Sequence, residues 1–214
     1  FARRHRGTPP AYRRERWTAP DGDFVDVDFQ DAADPGAPLL VLFHGLEGSS
    51  RSAYALAFAD WARAAGWHYA VPHFRGCSGE INLSPRAYHS GDFEEVGWIV
   101  ARLRECHGRA LYAVGVSLGG NALLRWAEEA GDSAAATVRA VAAVSSPVDL
   151  TAGGHAIGRG FNRLSYTPHF LRTMKPKALA KWAQHPGLFD RELVLAARTL
   201  YAFDDAFTAP VHGF

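Results

Sequence analysis

Residues 114–121 read VGVSLGGN, a serine set between glycines at the end of an apolar run. The run itself, ALYAVGVS (110–117), has the unbroken apolar character of a strand buried on both faces. The segment that follows, LGGNALLRWAEEAG (118–131), spaces its apolar residues as a helix does. A G-x-S-x-G pattern between strand and helix predicts a sharp corner, a nucleophile elbow, that lifts the Ser117 hydroxyl above the sheet. Gly115 and Gly119 let neighbouring backbone pass where a Cβ would clash. Ser117 is the candidate nucleophile; the plainer alternative is a tight turn closed by a capping serine.

Working outward, the same rhythm repeats. LLVLFHG (39–45), HYAVPHF (68–74) and VRAVAAVSSP (138–147) are further buried strand runs. SAYALAFADWARAAG (52–66) and GDFEEVGWIVARLRECHG (91–108) are helices, the first ending on Gly66, the second opening on Asp92 and ending on Gly108. Strands alternating with helices predict an α/β fold, a mostly parallel sheet covered by helices on both faces. Upstream, Val25, Val27 and Phe29 alternate with Asp26 and Asp28, which predicts an antiparallel strand with its carboxylates in water and Tyr12–Trp17 as hairpin partner. From Thr151 the strand runs stop. Helices punctuated by Pro168, Pro176 and Pro186 follow, read as a lid over residues 151–210 within a single domain spanning 1–214.

Composition narrows the function classes. With 23 Lys+Arg against 22 Asp+Glu in 214 residues, no overall field favours nucleic acid or an anionic membrane. Arg3, Arg4, Arg6, Arg13, Arg14 and Arg16 cluster near the start and read as a solvated terminus rather than a phosphate-binding arm. Cys77 and Cys106 supply neither a disulfide framework nor a metal cluster, which points to a cytoplasmic setting. No apolar stretch is long enough for a membrane span.

An acyl-transfer site needs backbone donors where a carbonyl oxygen becomes an oxyanion. One donor follows the nucleophile, at Leu118; the other comes from HGLEGSS (44–50), with Leu46 as its candidate and His44 and Gly45 as supports. No G-K-[ST] follows this loop, so it is not a phosphate-binding P-loop. In HFRGCSGEINLSPRAYHSGD (73–92), Arg75, His89 and Asp92 are expected to fix a long loop. The histidines after Ser117 are His155, His169, His185 and His212, all in or beside the helical block. Asp149 as acid and His212 as base would serve only in a variant arrangement, and the residues alone leave the base open. Phe161, Tyr166, Phe170 and Trp182 in the helical block would favour an apolar acyl group, although the same residues could simply be core.

The segments FHGLEGSSRSAYA (43–55), HFRGCSGEINLSPRAYHSGD, GVSLGGNALLRW (115–126) and FDDAFTAPVHGF (203–214) together resemble the YheT-like branch of the α/β-hydrolase superfamily. The resemblance runs from about Pro20 to Phe214. It implies a carboxylesterase-type serine hydrolase that acts through an acyl-enzyme on Ser117, takes a small-molecule ester and needs no metal or organic cofactor. It also implies that the acid and histidine lie past Phe214, after two further strands, so the sequence reads as a fragment lacking its C-terminal strands and nearly inactive alone. Two rivals stand beside it: a non-catalytic α/β domain that binds a ligand or partner, and an acyltransferase on the same scaffold.

Overall fold

The apolar runs assemble into one mixed sheet. A computed structural model describes residues 10–214; Arg3, Arg4 and Arg6 of the basic cluster lie outside that range. The strands are β1 (Arg13–Thr18), β2 (Phe24–Gln30), β3 (Leu39–Phe43), β4 (His68–Pro72), β5 (Leu111–Val116) and β6 (Ala140–Val144). Their order across the sheet is β1-β2-β4-β3-β5-β6. β1, β2 and β4 pair antiparallel, whereas β4, β3, β5 and β6 run parallel.

The two-residue period of the central strands sorts side chains onto two faces. Val41, Phe43 and Ala113 join one core with α2 (Phe93–His107) and α3 (Leu118–Ala130), where Ile99, Leu103 and Leu123 meet them. Leu40, Leu42 and Val114 join the other, closed by Ala55, Ala59 and Ala62 of α1 (Ala53–Ala65). α1 stops because Gly66 adopts φ 71° and returns its N–H to the carbonyls of Ala62 and Arg63. Asp92 caps α2 by accepting from the Glu95 amide.

Three expectations need correction. Asp26 and Asp28 do not face water but are 1% and 3% exposed. The hairpin register sets Arg16 opposite Asp26 and Arg14 opposite Asp28, and each guanidinium grips its carboxylate with two bonds. The 73–92 loop closes over them through Ser78 and Glu80, so these members of the basic cluster hold a hairpin together. Next, β6 is mostly exposed rather than buried on both faces. It pairs only with β5, and no strand covers its other edge among the described residues.

Finally, Pro168 and Pro176 lie inside one long helix. After α4 (Ala134–Thr137) and α5 (Leu150–Ile157), α6 runs over Gly160–Gln184 and continues through both prolines. Each proline removes one helical donor, but Leu171 and Ala178 anchor α6 in a third apolar core with Phe189, Val194 and Phe203, and that burial outweighs the loss. Pro186 does fall beyond the helix end. α7 (Arg191–Ala196), α8 (Leu200–Phe203), a π-helical turn (Asp204–Thr208) and α9 (Ala209–His212) complete the segment.

Candidate active site

Ser117 occupies the corner between β5 and α3 with φ 53° and ψ −119°, a backbone conformation that a residue with a Cβ rarely adopts. Its N–H donates to the Val144 carbonyl at 2.8 Å and its carbonyl accepts from the Asn121 amide at 3.0 Å, so both ends of the residue are tied. The glycines around it leave no room for side chains. A Cβ on Gly115 would come within 2.5 Å of the Gly119 carbonyl oxygen, and one on Gly119 within 2.4 Å of the carbonyl oxygens of Phe43 and His44. Gly120 packs against the Ser146 side chain and the Gly115 carbonyl in the same way. The corner is tight because three glycines bring α3 onto the ends of β3 and β5. The Ser117 hydroxyl forms no hydrogen bond among the described residues and lines a cavity of about 540 Å³.

The loop after β3 lies directly opposite. A Cβ on Gly45 would stand 3.2 Å from the Ser117 Cβ. Fully buried His44 governs this loop: its Nδ1 lies 2.8 Å from the Gly45 carbonyl oxygen and its Nε2 3.1 Å from the Phe74 amide nitrogen. Those partners fix the tautomer, with Nδ1–H donating and Nε2 accepting. Burial lowers the imidazole pKa to about 3, so the ring is neutral. The Gly45 carbonyl also accepts from the Gly48 amide at 2.9 Å. A trans peptide points its N–H away from its C=O, so anchoring the Gly45 oxygen also fixes the direction of the Leu46 N–H. Leu46 lines the cavity, and its N–H has no acceptor among the described residues. Leu118, the first residue of α3, lines the cavity too, and its N–H has no intrahelical acceptor.

The structure thus brings Ser117, Leu46 and Leu118 to one cavity, with His44, Gly45, Gly115 and Gly119 immediately behind them. Asp149 is placed otherwise: it caps α5 by accepting from the Ala152 amide at 2.8 Å. His212 packs against His89 and Phe214, with ring centroids 4.3 and 5.5 Å away, and burial lowers its pKa to about 4. Neither makes a hydrogen bond to Ser117. Cys77 is buried, and burial pushes its thiol up to about 11, a poor thiolate source. Arg75 has the predicted loop-fixing geometry, bonding Glu95, Asp21, Asp23 and Ser84.

The expected aromatics do not line the cavity, and two of them follow the core alternative. Phe161 and Tyr166 are exposed, Phe170 and Trp182 pack into the third core, and none of the four lines the cavity. Phe203, Phe207, Tyr88 and Phe214 line it instead, with Ile157, Met174 and Leu200. Sequence reading also missed Tyr54, which accepts from the Gly45 amide at 2.9 Å, and Tyr88, which accepts from the Glu47 amide at 3.0 Å. Tyr54 sits in the helix after the loop and shows as one more apolar position; Tyr88 arrives from 41 residues away, beyond any local pattern. Among the described residues no cluster of His, Cys, Asp and Glu could hold a metal ion, and no helix is long and apolar enough to cross a membrane.

Comparison with known proteins gives a consistent picture. A family model described as the alpha/beta hydrolase fold matches residues 38–191. The Escherichia coli (strain K12) protein called "Putative esterase YheT" is 40% identical over 100% of this chain, which covers 63% of that protein. Phospholipase ABHD3 of Mus musculus is 27% identical over 96% of this chain and is covered to 52%. Among solved structures, the alpha/beta hydrolase GrgF from Penicillium sp. sh18 superposes with a TM-score of 0.54 at 19% identity, over 79% of this chain and 55% of that one. The chain thus spans 63% and 52% of the length of these two curated relatives.

Proposed function

The chain belongs to the alpha/beta hydrolase fold family, and from that premise we propose that it carries the nucleophile and oxyanion hole of a serine esterase. In this reading the Ser117 Oγ attacks the acyl carbon of a carboxylic ester held in the cavity. Negative charge then develops on the former carbonyl oxygen, and the Leu46 and Leu118 N–H groups stabilise it, each donor worth on the order of 3 kcal/mol. The alcohol departs and leaves an acyl-enzyme on Ser117, which water hydrolyses. Leu46, Leu118, Met174, Phe203 and Phe207 give the cavity an apolar lining suited to an apolar acyl group. The helices over 151–210 serve as a lid. Among the described residues no histidine or carboxylate makes a hydrogen bond to Ser117, and in this reading the base and its orienting carboxylate correspond to the length of the relatives that this chain does not span.

One observation carries the reading: a strained serine with an unengaged hydroxyl lines the same cavity as two residues whose backbone amides are uncommitted. The esterase and phospholipase names of the longer relatives support an ester as substrate. The test is a set of aryl esters of increasing acyl length, turned over by the full-length protein. Ser117→Ala is expected to lower kcat by at least about 10³-fold with KM little changed. Wild-type turnover by that variant would overturn the reading.

A further inference from the structure

We propose that Glu47 is a positioning residue for the loop bearing the Leu46 amide, and that α6 holds it in place through Lys177. The inference rests on the reading of Ser117 and Leu46 given above and concerns what keeps the loop in its working shape.

Glu47 has φ 56°, in the left-handed region, although it is not a glycine. Such a conformation persists only where its surroundings over-determine it, and here they do. The Glu47 N–H donates to the Tyr88 hydroxyl at 3.0 Å, and that hydroxyl donates back to Glu47 Oε1 at 2.8 Å. Lys177 Nζ donates to the same oxygen at 3.0 Å. Lys177 also approaches Cys77 Sγ at 3.4 Å, but a thiol pushed up by burial is no anion at neutral pH. Glu47 is therefore the carboxylate partner of this ammonium among the described residues. The Tyr88 ring stacks on Phe74 at 5.6 Å and 8°, and the Phe74 amide bonds His44 Nε2. Leu46 is thus bracketed: His44 fixes the carbonyl before it, Glu47 the residue after it, and both arms meet at Phe74.

Lys177 contributes what the loop cannot supply itself. It lies 130 residues from Glu47 in sequence, on a helix anchored by Leu171 and Ala178 in a separate core. The ion pair joins the helical segment to the loop, with Glu47, Tyr88 and Lys177 all lining the cavity that holds Ser117. If α6 moves away, the carboxylate loses its cation and the strained residue loses one of its restraints.

The experiment uses the full-length protein and four variants: Lys177→Met, Glu47→Gln, the double variant and Lys177→Arg. Two readouts are needed, steady-state kinetics on an aryl ester and hydrogen–deuterium exchange of the 44–50 peptide. Lys177→Met and Glu47→Gln are each expected to lower kcat about tenfold with KM within about twofold, and the double variant to be no worse than the poorer single one. Lys177→Arg, which keeps the charge, recovers most of the loss, and exchange at 44–50 accelerates about tenfold in Lys177→Met. Unchanged exchange at 44–50, effects that multiply in the double variant, or a lowered melting temperature with kcat intact would each overturn the proposal. Full activity of Ser117→Ala would instead sink the esterase reading, while the exchange experiment still judges the clamp.

Discussion

Replacing Gly119 by alanine isolates the geometry of the corner, because nothing but a methyl group is added. Gly119 is the second residue of α3 and has no positive φ, so alanine suits its backbone, and helix propensity alone would favour the change by about 1 kcal/mol. Sterics oppose it. The new Cβ would meet the carbonyl oxygens of Phe43 and His44 at 2.4 Å and the Phe43 carbonyl carbon at 2.6 Å. That is about 1 Å short of ordinary van der Waals contact. Every opposing atom is backbone, and β3 is locked between β4 and β5, so no side chain can swing aside. We expect a net loss of about 3 kcal/mol, which for a domain of this size lowers the melting temperature by roughly 6–12 °C. Gly154 in α5 is the control, with no atom within 4 Å of its would-be Cβ; alanine there is expected to raise stability by about 0.5–1 kcal/mol. Thermal melts followed by circular dichroism compare the two. A Gly119→Ala protein melting within about 1 °C of wild type would refute the close approach of α3 to β3.

Two further outcomes follow from buried ionisable groups. His44 ionises near 3 in the fold against about 6.5 when unfolded, so between those values the unfolded chain binds the extra proton. Stability from neutral His44 is full above about pH 6.5 and drains as pH falls toward 3; His212, near 4, adds a loss of the same sign. Urea midpoints measured from pH 7 to pH 4.5 are expected to fall, and His44→Asn to flatten the slope; an unchanged slope would contradict the neutral buried ring. Asp28 is buried, yet bonds from His73, Arg14 and Ser50 hold its carboxyl well below the usual range. Asp28→Asn breaks that cluster and is expected to cost about 3 kcal/mol, read as a shift in chemical-denaturation midpoint; a loss under about 1 kcal/mol would mean the cluster is solvated.

What the sequence makes legible is what local spacing encodes. The βα alternation, the glycine caps at Gly66 and Gly108 and the strand–Ser117–helix corner all depend on residues within a few positions of one another. Contacts between distant segments leave no such mark. Alternation in β2 correctly marks a strand, but it cannot say that Arg14, Arg16 and the 73–92 loop would bury Asp26 and Asp28. Proline content in α6 signals breaks, yet packing of Leu171 and Ala178 decides otherwise. The glycines near Ser117 point to the corner, whereas Tyr54, Tyr88 and Lys177 meet the 44–50 loop only through the fold. The cavity's aromatic lining came from Phe203 and Phe207 rather than from Phe161 and Tyr166, because the start of α6 projects outward.

Trapping the covalent intermediate tests the account most directly. The full-length protein is mixed with an excess of an aryl ester, quenched in acid during turnover and mapped by mass spectrometry. One acyl group on the peptide carrying Ser117, absent from Ser117→Ala, is the predicted result. Turnover with no acylated serine, or acyl transfer to a different side chain, would contradict it.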